Sequence, residues 1–180
     1  MRIIKEQSSG LIIDIQERLY PHIYKHEIIS KNTAILIRGL KILKIPVILT
    51  QQYTTGLGDT IPAIKEAMAD YSVIEKNSFS CCDEPVFMEN LHQLGKKYII
   101  MAGIEAHVCV LQTMLDLMEN NFIPVVIENC ISSRKKRDKN IAVDRMRQEG
   151  AVISTYESVL FELTRFAGTS EFKQISNLIK

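Results

Sequence analysis

Three side chains in this sequence could share acid, base and nucleophilic work, and each stands where an apolar run gives out. Asp14 closes "GLIID", Lys76 closes "YSVIEK", and Cys109 follows "KYIIMAG" after the short stretch "IEAHV". A carboxylate half-buried at a strand tip has a raised pKa and suits proton movement near neutrality. Taken alone, Asp14 reads more readily as a helix cap or a loop acid. Lys76 is either a solvated lysine, as most are, or a cation at the same rim able to hold a carboxylate or a thiolate. A helix starting near Ala106–Cys109 would aim unpaired N–H groups at the sulfur, one of the ways a thiol pKa is lowered from about 8.5. The alternative is a buried cysteine in a first helical turn. Taken together the three are more specific: Asp14 can take the thiol proton and Lys76 can stabilise the charge that results.

The elements that must position them are legible as an alternation. Short runs rich in Ile and Val recur at 10–14, 45–50, 71–76, 97–103, 122–128 and 151–155, mostly without polar alternation. Strands covered on both faces read this way. Helical patterns lie between them, at 27–44, 60–69, 84–94, after Cys109, at 138–149, from a Ser154/Glu157 capping box through Phe166, and at 172–179. Thr60 is a candidate cap for the second of these, with Pro62 in its first turn, and Gly95 is a fitting stop for the third. The alternation implies an α/β three-layer sandwich, α/β/α, around a six-stranded, mainly parallel sheet. Right-handed crossovers bring every strand's C-terminal end to one edge. In the doubly wound order 3-2-1-4-5-6, strands one and four are neighbours at the reversal point, where such sheets bind ligands. Asp14 and Cys109 then flank that point, with Lys76 reaching in along the edge.

Composition removes several function classes. Across 180 residues there are 22 basic and 21 acidic side chains, a net charge of +1, so nothing points to nucleic acid. The length suits one domain, 1–180. No apolar run approaches the roughly 18 residues of a membrane span, and "MRIIKEQSSG" is too polar for a secretory signal. Four irregularly placed cysteines without a CxxC pair argue against a disulfide framework or structural zinc and fit a reducing cytoplasm. No GxGxxG or GxxxxGK[ST] follows any strand, which weakens a nucleotide-binding role.

Over nearly its whole length the sequence resembles the isochorismatase-like cysteine hydrolases. The resemblance rests on "LIIDIQERL", "EKNSFSC", "GIEAHVCVLQT" and "SSRKKRDKNIAVDRMRQEGAVIST", in that order, and the wording of "TQQYTTGLGDTIP" and "GIEAHVC" is most like the isochorismatase domain-containing subgroup. It implies an α/β/α fold with a parallel six-stranded sheet and a catalytic triad of Asp14, Lys76 and Cys109. It also implies a cis peptide at Ile104–Glu105, an oxyanion site made by the backbone N–H groups of Glu105 and Cys109, and a homo-oligomer. No cofactor is implied. Two departures matter. Nicotinamidase-type members carry an Asp and two His metal ligands shortly after the second strand, whereas "TQQYTTGLGDT" contains no His; no metal site is expected there. Many amidases of the family have Thr–Asp where this chain has Ala106–His107.

Around the triad, Gln16, Tyr53, Leu57, Phe79 and His107 are candidates for lining a small-molecule pocket. Gln16 and His107 have equally plain structural alternatives, a helix-start amide and a packed or surface imidazole. Cys81 and Cys82 are expected to pack or line the pocket, Cys130 to be structural, and "RKKRDK" (134–139) to be a solvated basic loop. The expected activity is metal-independent hydrolysis of a small amide or related C–N bond through a thioester on Cys109. The alternatives are a vinyl-ether hydrolase in which the sulfur is not required, and a non-catalytic oligomeric or regulatory module on the same fold.

Overall fold

The computed structural model describes all 180 residues. Its sheet has six strands: β1 (Ser8–Ile13), β2 (Val47–Gln52), β3 (Val73–Lys76), β4 (Tyr98–Ile104), β5 (Ile123–Ser132) and β6 (Val152–Ser154). They lie in the order β3-β2-β1-β4-β5-β6 and every pairing is parallel. The central strands β1 and β4 are buried at every position, as strands covered on both faces must be.

Helices cover both faces. On one lie α1 (His26–Ile42), α3 (Pro62–Met68), α7 (Tyr156–Thr164) and α8 (Ser170–Ile179). Leu36, Ile37 and Leu40 of α1 meet Leu160 and Ile175 in one core there. On the other lie α4 (Pro85–Leu94), α5 (Leu111–Glu119) and α6 (Lys136–Gln148), whose Phe87, Leu91, Met114, Leu117 and Met146 form a second core. The short α2 (Thr54–Leu57) follows β2 and includes Leu57, one of the residues expected to line a pocket.

Three local details differ from the sequence expectation. The α7 cap is Thr155, whose hydroxyl accepts from the Ser158 N–H, so Ser154 and Glu157 make no capping box. Thr60 does not cap α3; Ile61 takes that position and the Thr60 hydroxyl accepts from Gln51 at 2.8 Å. The strand read as ending at 128 runs on to Ser132, because its pairing to β4 shifts register between Met101 and Gly103. That irregularity carries Ser132, Ser133 and Arg134 up to the C-terminal edge of the sheet.

Gly103 is the tightest point in the sheet. Its φ of +141° suits glycine, and a Cβ built there would stand 2.2 Å from the Ile13 carbonyl oxygen. Neither the backbone of β1 nor that of β4 can yield, since both are buried on each side. Gly103→Ala should therefore destabilise the protein by about 3 kcal/mol or more. Urea denaturation would show this as a lowered midpoint at unchanged slope; a midpoint equal to wild type would mean that the two strand ends separate freely.

Candidate active site

β1 ends at Ile13, and Asp14 follows in a left-handed conformation, φ 52°. Its N–H donates to the Thr50 carbonyl at 3.3 Å, so the residue still tracks β2 while its side chain turns to the edge. Lys76 is the last residue of β3, in register with Gln52 at the end of β2. A turn of π-helix, Ala106–Val110, leads from β4 into α5 and carries Cys109. Three parallel strand ends thus deliver three chemically distinct groups to one place, and burial closes over them. Asp14 and Lys76 are each 1% exposed and Cys109 6%.

Hydrogen bonds define the cluster. The Lys76 Nζ donates to Asp14 Oδ2 at 2.7 Å, to Gln52 Oε1 at 3.2 Å, and to the carbonyls of Ser78 and Phe79 at 3.1 Å each. The Thr50 hydroxyl donates to Asp14 Oδ1 at 2.8 Å, so each carboxylate oxygen has its own donor. The Cys109 Sγ–H donates to Gln52 Oε1 at 3.1 Å. The Gln52 amide nitrogen in turn donates to the Asn77 carbonyl at 3.3 Å, which fixes which end of the amide faces lysine and sulfur. Period-2 alternation puts Thr50 and Gln52 on one side of β2. Both were missed from sequence. Their signal was present, since "IPVILTQQ" is an apolar run turning polar at its end, the same mark that singled out Asp14 and Lys76.

Electrostatics set the resting state. Burial alone would lower the Lys76 pKa, but the charge of Asp14 outweighs it and holds the pKa above the ordinary lysine value. Burial pushes the Cys109 thiol well up, the Asp14 carboxylate pushes it further, and Lys76 only partly opposes them. This runs against the expectation of a lowered thiol pKa: the loss of hydration and the negative charge of Asp14 outweigh the positive charge of Lys76. The neighbouring Cys81 is likewise raised, to about 12, first by burial and then by Asp14. The free protein therefore carries a neutral thiol beside an ion pair. A raised pKa means less thiolate at pH 7 than in free cysteine, so iodoacetamide should alkylate Cys109 more slowly than a small thiol, with the rate still climbing at pH 10. A plateau below pH 8 would contradict this assignment.

The remaining candidates divide. Tyr53 and Phe79 are 55% and 52% exposed at the rim, and Leu57 is half-buried in α2. Gln16 is fully buried: its amide donates to the Gln52 and Gly58 carbonyls and accepts from the Gln52 N–H at 2.8 Å. It is a strut under the β2 tip, with every polar atom bound to backbone, and does not face a pocket. His107 is half-buried, with Nδ1 at 2.9 Å from the Ser133 hydroxyl, and lines a cavity of about 210 Å³ against Ile141 and Arg145 of α6. Cys82 is partly buried, Cys130 fully, and all four cysteines are free. The Ile104–Glu105 peptide is cis, and the Glu105 N–H donates to no group of the protein. In the segment where metal-binding relatives carry their ligands, Asp59 is taken up by Lys65 at 2.6 Å and Gln51 at 2.6 Å. No three His, Cys, Asp or Glu side chains are grouped so as to hold a metal ion.

A six-stranded parallel sheet in the order β3-β2-β1-β4-β5-β6, with an acid, a lysine and a thiol at its reversal point, defines a doubly wound α/β protein. The chain belongs to the isochorismatase family: the Isochorismatase domain matches residues 10–158. It is 35% identical to zebrafish isochorismatase domain-containing protein 2 over 99% of this chain and 89% of that one. Among solved structures it is similar to the MAR1 ribonuclease of Caenorhabditis elegans, at 36% identity and a TM-score of 0.94, covering 99% and 92% of the two chains. It is also similar to the Escherichia coli YcaC gene product, described as an octameric hydrolase of unknown specificity, at 25% identity and a TM-score of 0.89, covering 99% and 95%.

Proposed function

We propose that this protein is a metal-independent cysteine hydrolase that cleaves a small amide or related C–N bond through a thioester on Cys109. The observation that carries this is the buried cluster in which Asp14, Lys76 and Cys109 converge through Gln52 and Thr50. As the sulfur attacks the carbonyl carbon, Asp14 takes the thiol proton, and the carbonyl π pair moves to oxygen. The backbone N–H groups of Glu105 and Cys109 receive that oxyanion. Collapse expels the amine, which takes the proton from Asp14, and leaves the thioester. Asp14 then accepts a proton from the attacking water, the carboxylic acid departs, and the thiol is restored. Lys76 supports the carboxylate throughout and offsets negative charge at sulfur.

The 6% exposure of Cys109 supports a small substrate, and the near-zero net charge supports one other than a nucleic acid. Four free thiols fit a reducing cytoplasm. No helix is long and apolar enough to cross a membrane. The octamer described for YcaC supports self-association of this chain as well. Acid-quenched mixtures with small amides, read by intact mass, should show an acyl adduct that maps to Cys109. Turnover without that adduct, at a rate unaltered in Cys109→Ala, would rule the covalent route out. A second reading uses the same cluster on a vinyl ether: Asp14, a carboxylate paired with Lys76 at rest, takes a proton from water and passes it to the substrate without the sulfur.

A further inference from the structure

We infer that Arg134 is a positioning residue: it clamps the Glu105 carboxylate and so holds the Glu105 N–H where an oxyanion forms beside Cys109. Arg134 opens the basic run expected to be a solvated loop, but the β5 extension brings it to the sheet edge. Its backbone N–H donates to Glu105 Oε2 at 2.9 Å, and its Nε donates to Oε1 at 3.0 Å and Oε2 at 3.2 Å. The only other charged or titratable group paired with that carboxylate is His107, whose Nδ1 lies 3.9 Å away.

Glu105 is held on two other counts. Its carbonyl accepts from the N–H groups of Val108 at 3.1 Å and Val110 at 3.2 Å, on either side of Cys109. Its residue as a whole is 7% exposed. Side chain and carbonyl are therefore committed while the N–H has no partner in the protein. An orphaned N–H in a buried residue costs free energy, and such donors are kept where a ligand oxygen will accept from them. A buried carboxylate one side chain away would repel that oxygen. The guanidinium cancels this charge as well as fixing the rotamer.

The inference rests on the proposed function in taking Cys109 as the attacking sulfur and the Glu105 N–H as an oxyanion donor, and its test needs no turnover. Two probes react with the same sulfur. Acrylamide adds across its double bond: the S–C bond forms, the π pair passes to the carbonyl oxygen as an enolate, and the thiol proton ends on the α-carbon. Iodomethane forms an S–C bond as iodide leaves and the thiol proton is lost to solvent, with no developing oxyanion. Rates at the Cys109 peptide are measured by mass spectrometry at pH 9 for wild type, Arg134→Ala, Glu105→Gln and the double variant, with thermal midpoints as the folding control. Arg134 is 60% exposed in its side chain, so its truncation leaves a folded protein. Arg134→Ala should slow acrylamide addition at least about tenfold while the iodomethane rate stays within about twofold. In the Glu105→Gln background, where no charge needs cancelling, removing Arg134 should add little. Equal slowing of both probes, no slowing of acrylamide, or additive effects in the double variant would overturn the clamp. A failed amide assay would leave these rates readable, and a failed clamp would leave the hydrolase proposal standing.

Discussion

Lys76→Met lowers the stability of the protein by about 3–5 kcal/mol, and adding Asp14→Asn recovers part of the loss. The ammonium is 1% exposed and serves four acceptors at once. Removing it leaves Asp14 with only the Thr50 hydroxyl, Gln52 Oε1 with only the Cys109 thiol, and the Ser78 and Phe79 carbonyls without the ammonium. A buried ion pair gains little over a neutral pair of the same shape, but half of one is costly, because the remaining charge keeps its desolvation penalty and loses its partner. Asparagine retains the shape of Asp14 and can still accept from Thr50, now without a charge to compensate. The double variant should therefore be more stable than Lys76→Met alone, and the cycle should show a coupling of more than about 1 kcal/mol. Chemical denaturation of the four proteins measures it. Simple additivity would mean that Lys76 and Asp14 are not held as a pair in solution.

Cys109→Ala abolishes turnover of the amide substrate while barely changing stability. Nucleophile removal in covalent hydrolases lowers kcat by about 10⁴-fold or more, whereas losing one buried sulfur atom costs about 1 kcal/mol. The sulfur is the only covalent partner in the proposed route, and no neighbour can replace it: Cys81 is fully buried, with its pKa raised to about 12. Asp14→Asn should match it in kcat, since the neutral thiol then has no base. The pair of variants separates the readings. Loss in both fits the thioester route. Loss in Asp14→Asn with activity retained in Cys109→Ala would move the protein to vinyl-ether chemistry, in which the carboxyl acts and the sulfur is a bystander. Unchanged rates in both would leave the cluster without a catalytic part and point to a non-catalytic module.

What the sequence determined by itself is the frame. Six Ile- and Val-rich runs separated by amphipathic helices leave few topologies once right-handed crossovers are required, and the observed order β3-β2-β1-β4-β5-β6 follows. Because that order sends all strand ends to one edge, the residues that close "GLIID" and "YSVIEK" and the thiol that follows "KYIIMAG" were enough to nominate Asp14, Lys76 and Cys109. These are local patterns, and burial periodicity is a local property.

Only the tertiary structure decided the rest, because it depends on what lies across from a residue. Gln16 looked like a neighbour of the acid and proves to be a strut, since the backbone facing it belongs to residues 52 and 58. Gln52 was not singled out in sequence and proves to join lysine to sulfur. Arg134 looked solvated until a register shift in β5 set it against Glu105. Above all, the ionisation of Cys109 turns on its tertiary surroundings. A helix start argues for a thiolate, but a pKa sums every surrounding field and the loss of water, and here burial and Asp14 outweigh Lys76. Sequence can say which groups meet at a strand edge; which of them holds the proton is decided by dielectric and distance, and those exist only once the chain has folded.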